Sequence, residues 1–160
     1  MVINFIKIKE SDSKRIYNWR IKPRVENFMK TRFRHSDKIQ KEWIRNSNKK
    51  KDFWHWLVCF KKKKIGYLCT FKPHSNAKEL SWGFYIGDEN YLAVSGLISI
   101  SFHNFIFLKS NVKRIITTVL SHNKIVINSR KKQGYKIICK TSDKIFIPGQ
   151  KKLIHRKKIK

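Results

Sequence analysis

Residues 80–123 read LSWGFYIGDENYLAVSGLISISFHNFIFLKSNVKRIITTVLSHN. The run from Leu80 to Ile86 has the aromatic and apolar content of a strand. Gly87-Asp88-Glu89-Asn90 then supplies a turn, and Ala93-Val94-Ser95-Gly96 a short loop of small residues. An apolar helix is expected from about Leu97 to Lys109, and a β-branched strand from Arg114 to Leu120. Strand, small-residue loop, helix N-terminus and strand is an order that turns backbone N–H groups toward an anion. Any chemistry is expected to be organised here.

Working outward, Val2 to Ile8 alternates as a short opening strand, and Ser11-Asp12-Ser13 offers N-caps for a helix over about 14–20. Pro23 interrupts that helix, and 24–29 can form a further turn. Ser36-Asp37 caps a helix running to Asn46, with Ile39, Trp43 and Ile44 on one face. Two strands, about 53–60 and 65–73, flank Lys61-Lys62-Lys63-Lys64, which reads as a solvated hairpin turn or a phosphate-binding patch. After Asn123 a helix runs to Gln133 and stops at Gly134. Strands are expected over 135–141 and 144–148, and the basic end 151–160 is a last strand or a frayed tail. The order β α α β β β α β α β β implies one α/β domain over 1–150, with a mixed central sheet and helices on both faces.

The chain carries 38 Lys and Arg against 10 Asp and Glu, a formal charge of +28. Such a balance raises nucleic acid or another polyanion as a partner. Two features count against a dedicated nucleic-acid protein: the lysines are spread along the whole chain, and they accompany abundant Ile and Asn, as AT-rich codon usage produces. No apolar run approaches ~18 residues and no cleavable leader pattern opens the chain, so no membrane span is expected and the cytoplasm is the expected location. Cys59, Cys69 and Cys139 lack metal-ligand spacing. They are expected as reduced core thiols, with Cys59 and Cys69 able to lie near each other across the hairpin, and no metal site is expected. Trp19, Trp43, Trp54 and Trp82 are expected in the core.

Several motifs share an order found in one protein family. Asn18-Trp19-Arg20, Pro23-Arg24-Val25 and Phe28-Met29 resemble the W-R-N…P…V-R…M opening of one branch of the GNAT acetyltransferases. Ser36 to Ile44, Gly83 to Gly87, Thr118 to Asn123 and Asn128 to Tyr135 are similar to later motifs of that branch, which includes amino-sugar-nucleotide N-acetyltransferases of pseudaminic acid biosynthesis and is related to ribosomal-protein acetyltransferases. The resemblance spans about residues 2–141 and implies a single-domain GNAT fold with acetyl-CoA as co-substrate. It implies cofactor contacts at Phe84, Ile86, Ala93, Val94, Ser95, Gly96 and Asn123. The pyrophosphate loop departs from the family's R/Q-x-x-G-x-G/A, since Leu92 to Leu97 lacks the leading basic residue and has alanine and serine for glycines. Ser95 can alternatively be a plain helix cap.

N-acetylation needs a deprotonated amine, a polarised thioester oxygen and an acid or cation for the departing thiolate. The resemblance implies a tyrosine acid where this chain has Arg130, which cannot give up a proton near neutrality but can stabilise negative charge. Tyr85 is the polar side chain expected at the reacting centre, or else an aromatic of a half-buried strand. Asn123 is a site residue or an N-cap. Arg20, Met29, Lys30, Gln40 and Lys72 match positions that contact a sugar nucleotide in this branch, although Arg20 also suits a structural ion pair. The implied reaction is acetylation of the 4-amino group of a UDP-linked 4-amino-4,6-dideoxy sugar. Its rivals are a ribosomal-type protein acetyltransferase and a non-catalytic binder of anions such as nucleic acid.

Overall fold

A computed structural model describes residues 2–29, 36–72, 78–137, 143–146 and 153–159, the last two segments as backbone only. Lys30, Cys139 and residues 73–77 lie outside these described residues. Seven strands form one mixed sheet in the order β1 (Ile3–Lys7), β2 (Phe53–Phe60), β3 (Lys63–Phe71), β4 (Glu79–Ile86), β5 (Arg114–Leu120), β7 (Leu153–Ile159), β6 (Asp143–Phe146). Among the described strands only β4 and β5 pair in parallel, joined by a crossover helix as parallel neighbours require. The helices are α1 (Ser13–Arg20), α2 (Pro23–Glu26), α3 (Asp37–Ser47), α4 (Ser95–Lys109) and α5 (Lys124–Lys132).

The two faces of the sheet carry separate cores. Ile3, Leu68, Leu80, Trp82 and Ile86 pack under α4 through Ile98, Phe102 and Ile106. Ile8, Leu57 and Tyr67 pack under Ile16 and Trp19 of α1 and Ile44 of α3. On β4 the alternation of a strand sends Trp82 and Phe84 to the α4 face and Tyr85 to the α1 face. A bulge opposite Val58 and Cys59 leaves Ile65 without a partner in the ladder, because Val58 faces Gly66 while Cys59 faces Lys64. The extra residue places Ile65 in the α4 core and turns Lys64 toward Asp12, 2.6 Å away, on the α1 face.

Several expectations need correction. The helix after β4 begins at Ser95, preceded by a 3-10 segment over Glu89–Val94, so Ala93 and Val94 form a turn and not an open loop. Of the three N-cap candidates for α1, Asp12 holds the N-cap position, but its side chain accepts the Lys9 N–H and no amide of the helix. The buried face of α3 is Gln40, Ile44 and Ser47, while Ile39 and Trp43 are exposed. Trp54 is as exposed as Trp43, so only Trp19 and Trp82 of the four named tryptophans are core. Cys59 and Cys69 are free thiols opposite Lys64 and His55, which separates them along the hairpin. Residues 135–137 are not a strand, and the remainder of that expected strand, 138–141, lies outside the described residues. The helical run Glu89–Lys109 is long and apolar enough to cross a membrane by length and composition, contrary to the expectation from apolar runs; here it forms the crossover over the sheet.

Other local readings hold. Ser36 accepts the Ile39 N–H as the N-cap of α3. Gly134, at φ +85°, ends α5 in a Schellman turn: its N–H goes to the Lys131 carbonyl and the Tyr135 N–H to that of Arg130. Of the two alternatives for the basic end, 153–159 is the strand, inserted between β5 and β6.

Candidate active site

The parallel ladder of β4 and β5 is short. Glu79, Leu80 and Ser81 pair with Arg114, Ile115 and Ile116, and the pairing goes no further. The C-terminal parts of β4 and β5 therefore leave backbone groups available to an extended ligand between them. A Cβ placed on Gly83 meets nothing within 4 Å, so there is room beside β4. Beyond this opening stands the N-terminus of α4, whose N-cap is Val94 with no side-chain hydrogen bond. Ser95 is thus the first helical residue and not a cap, which corrects the alternative reading of it. Among the described residues no side chain accepts from the amides of the first turn, although the Ser95 N–H already goes to the Leu92 carbonyl, and Gly96 has open space around it.

Arg24 latches the end of β4. Its Nη1 and Nη2 donate to the carbonyls of Ile86 and Gly87, each at 2.7 Å, and its Nε lies 3.0 Å from Glu89. The Ile86 carbonyl is consequently already engaged on the protein side. Gly87 is required by close packing, because a Cβ there would fall inside 3.0 Å of the Trp19 ring.

On the α4 face, the Arg130 guanidinium lies 4.3 Å above the Trp82 ring and 5.4 Å from Phe84. Nη1 donates to Ser99 Oγ and to Gln133 Oε1, each at 2.8 Å, while Nε has no hydrogen-bonding partner. No carboxylate lies within ion-pair distance of it among the described residues. Burial lowers its pKa, partly offset by Tyr135. Next to it the Trp82 indole N–H donates to Tyr135 Oη at 2.9 Å. The Tyr135 hydroxyl lies 2.7 Å from His103 Nε2. Burial, with Arg130 adding to it, brings the His103 pKa down to about 4.

On the α1 face, Tyr85 stacks on Tyr67 with ring centroids 5.3 Å apart. Burial raises the pKa of both phenols, and of the Cys69 thiol to about 11, while Arg20 pulls all three back. The Arg20 guanidinium is itself lowered by burial and supported by Tyr85, Tyr67 and Glu26. A second chain of contacts fixes Tyr67. Asn48 Nδ2 donates to the Ile8 carbonyl at 3.2 Å, so its Oδ1 accepts from His55 Nε2, also at 3.2 Å. His55 Nδ1 is then the bare nitrogen that faces the Tyr67 hydroxyl at 3.4 Å. Burial, and Lys7 after it, lowers His55 to about 4.

The three expected catalytic residues do not share one face: Tyr85 stands with Arg20 on the α1 side, and Arg130 with Phe84 on the α4 side. Asn123 is the N-cap of α5, its Oδ1 accepting the Val126 N–H at 3.2 Å. Gln40 is buried, with Oε1 unpartnered. Lys72 lies over the Trp54 ring at 6.0 Å, five residues beyond Tyr67 along β3, which is about 16 Å of strand. Met29 ends the turn after α2, its N–H bonded to the Glu26 carbonyl, and Lys30 is outside the described residues. His55 and Tyr67 went unnoticed in the sequence, and Cys69 was read only as a core thiol. The signal was present, since Tyr67 and Cys69 alternate on one face of β3 and Tyr67 faces Tyr85 in the ladder.

The acetyltransferase (GNAT) domain family model matches residues 3–136, and the chain belongs to that family. It is an acyltransferase, an N-acetyltransferase that uses acetyl-CoA. Among solved structures, it is similar to a spermidine N-acetyltransferase from Vibrio cholerae in complex with CoA and spermine (13% identity, TM-score 0.84, covering 98% of this chain and 94% of that one). It is also similar to the Salmonella typhimurium acetyltransferase that modifies the N-terminal serine of ribosomal protein L7/L12 (11%, TM-score 0.79, 99% and 92%). A third is an aminoglycoside acetyltransferase in complex with coenzyme A (12%, TM-score 0.73, 88% and 87%). No curated protein matches the sequence. The gap beside β4 and the uncapped α4 N-terminus fit the cofactor, even though the leading basic residue of the family loop is missing.

Proposed function

We propose that the acceptor is a primary amine borne on a phosphorylated scaffold, and specifically the 4-amino group of a UDP-linked 4-amino-4,6-dideoxy sugar. The observation that carries this reading is the charge of the α1 face. Arg15 and Arg20 stand there beside Lys22 and Arg24, which hold Glu89, while Asp12, Asp88 and Glu10 are each held by another lysine or arginine and Glu26 sits in the field of Arg20. A polycationic amine would meet repulsion on this face, whereas a diphosphate would find donors.

In this reading acetyl-CoA supplies a thioester carbonyl. Phe84 and residues 93–96, which run from the 3-10 segment into the start of α4, hold it, with Ile86 contributing what its engaged carbonyl leaves free and Asn123 bordering the gap. Tyr85, kept as a neutral phenol by burial, donates a hydrogen bond at the reacting centre and takes no proton. Arg130 supplies fixed positive charge for the departing thiolate in place of a proton. Arg20 faces the acceptor's phosphates; Gln40, Met29, Lys30 and Lys72 are proposed contacts further out. The cytoplasm is the proposed location.

The test is release of free thiol from acetyl-CoA with three acceptors: the UDP-4-amino-4,6-dideoxy sugar, spermidine, and a peptide with an N-terminal serine. The highest kcat/KM is expected for the nucleotide sugar. Turnover of only the polyamine or only the peptide overturns the acceptor assignment, and binding of acetyl-CoA without turnover of any of them favours a non-catalytic anion binder.

A further inference from the structure

A cavity of 510 Å³ opens where α1, the β2–β3 hairpin and the end of β4 meet. Its walls are Arg15, Lys22, Lys62, Lys63 and Lys64, with Trp19, Gly87 and a single acid, Asp88. We propose that this cavity is a binding site for a pyrophosphate or longer phosphate chain, distinct from the acetyl-CoA site.

Three of the lysines already have counter-charges. Lys63 is 3.2 Å from Asp88, Lys64 is 2.6 Å from Asp12, and Lys22 is 3.3 Å from Glu89. Arg15 and Lys62 have no carboxylate within ion-pair distance among the described residues, so the cavity retains cationic charge after its internal pairs are counted.

Both of these residues also stand where local structure disfavours them. Arg15 is in the first turn of α1, which holds no acidic residue, and there the helix dipole repels a cation. Its guanidinium sits 5.8 Å above the Trp19 ring. Lys62 follows Lys61 in a two-residue hairpin turn, with φ of +71° and +45°, a conformation that suits asparagine and glycine. A multiply charged phosphate answers each of these features at once: it neutralises Arg15 and Lys62, favours the α1 N-terminus, and takes several point-charge donors. Trp19, locked under Gly87, forms a rigid wall.

The site is separate from the cofactor's. None of its lining residues belongs to the 93–96 turn, β5 or α5, and α1 lies across the sheet from α4. The phosphate chain is either the diphosphate of a nucleotide or an inorganic chain.

The test is calorimetric titration of inorganic tripolyphosphate into the full chain at near-physiological salt, with the parent and the double variant Arg15→Gln, Lys62→Asn. Both positions are exposed, and asparagine suits the positive φ, so the fold is retained. Saturable one-to-one binding is expected, weakened at least tenfold in the double variant, with acetyl-CoA affinity within twofold of the parent. Displacement by UDP marks a nucleotide source, and persistence against UDP an inorganic one; either supports the site. No saturable binding, equal binding by the double variant, or loss of tripolyphosphate binding on saturation with acetyl-CoA overturns it. Because the readout is binding, it stands or falls independently of which amine is acetylated.

Discussion

His55 makes acid stability a quantitative test of the α1-face network. The imidazole is 4% exposed, and its pKa falls from 6.5 to about 4 because burial penalises the cation. In the unfolded chain it titrates near its ordinary value. Between those two values the unfolded state binds a proton that the folded state refuses, so stability rises with pH and is lost as pH falls. The full contribution is present above pH 6.5 and is exhausted near pH 4. At about 1.36 kcal/mol per unit of pKa, a displacement of this size corresponds to roughly 3 kcal/mol. The slope in the middle of the window approaches one proton, about 1.4 kcal/mol per pH unit. His103 adds a second, smaller term, since it is only half-buried and also lowered to about 4.

The carboxylates whose pKa values are lowered, Glu10, Asp37 and Glu89, are all surface groups and lose their pairs only below the ordinary carboxylate range. The window from pH 6 to 5 therefore belongs to the histidines. Urea unfolding at half-unit steps across it is expected to show a fall in ΔG that His55→Gln reduces by about 1 kcal/mol per pH unit. The readout is the slope, so an overall loss of stability in the variant does not confuse it. Equal slopes in parent and variant, or an imidazole resonance of His55 that titrates near pH 6.5, would refute the buried, neutral tautomer and with it the orientation of Tyr67.

Four further outcomes are expected. Gly87→Ala should cost about 1–3 kcal/mol in urea melts because the added methyl meets the Trp19 ring, whereas Gly83→Ala, with open space around it, should cost much less; equal losses would contradict the packing. Tyr85→Phe should lower kcat by about 10²-fold while acetyl-CoA KM moves little, and an unchanged kcat would remove the phenol from the reaction. Ser95→Gly should leave acetyl-CoA affinity intact or improve it in titration calorimetry, and a marked loss would mean that the hydroxyl itself touches the cofactor. Arg130→Met should depress turnover at least about tenfold in a folded protein; unchanged turnover would make Arg130 a packing residue.

The first five strands were legible because their apolar runs are strong and glycine, proline or lysine turns lie at their ends, whereas 135–137 of the strand expected over 135–141 is not a strand. The bulge at Ile65 was not legible, because an extra residue in one strand leaves the composition unchanged and shows only in the register. On α3 the expected face of Ile39, Trp43 and Ile44 holds only at Ile44, which is buried together with Gln40 and Ser47. Trp43 instead reaches along the flank to His55, Phe53 and Tyr67 by ring contacts. Likeness to a family supplied Tyr85 and Arg130 as neighbours of one reaction, while strand parity alone separates Tyr85 from Phe84 and so from the Arg130 face. The buried His55–Tyr67 contact was invisible for a different reason: it joins residues twelve apart through a hairpin register that no local pattern specifies.

The separation of the two faces bears on how acetyl transfer can work with an arginine where a tyrosine acid is implied. A departing thiolate needs either a proton or a nearby positive charge. In a chain of net charge +28, a further buried cation without a carboxylate partner is costly. Arg130 nevertheless occupies such a place, supported by the π faces of Trp82, Phe84 and Tyr135 and by two neutral acceptors. Neutral supports leave the positive charge of the guanidinium uncompensated, where a carboxylate would have cancelled it. On the opposite face Tyr67, Tyr85 and Cys69 are all held protonated, so that side contributes hydrogen-bond donors and no anion. In the proposed site, negative charge formed between β4 and β5 would lie between the α4 face, which carries the Arg130 cation, and the α1 face, which carries neutral donors, an arrangement that would favour thiolate departure without a proton transfer at that step.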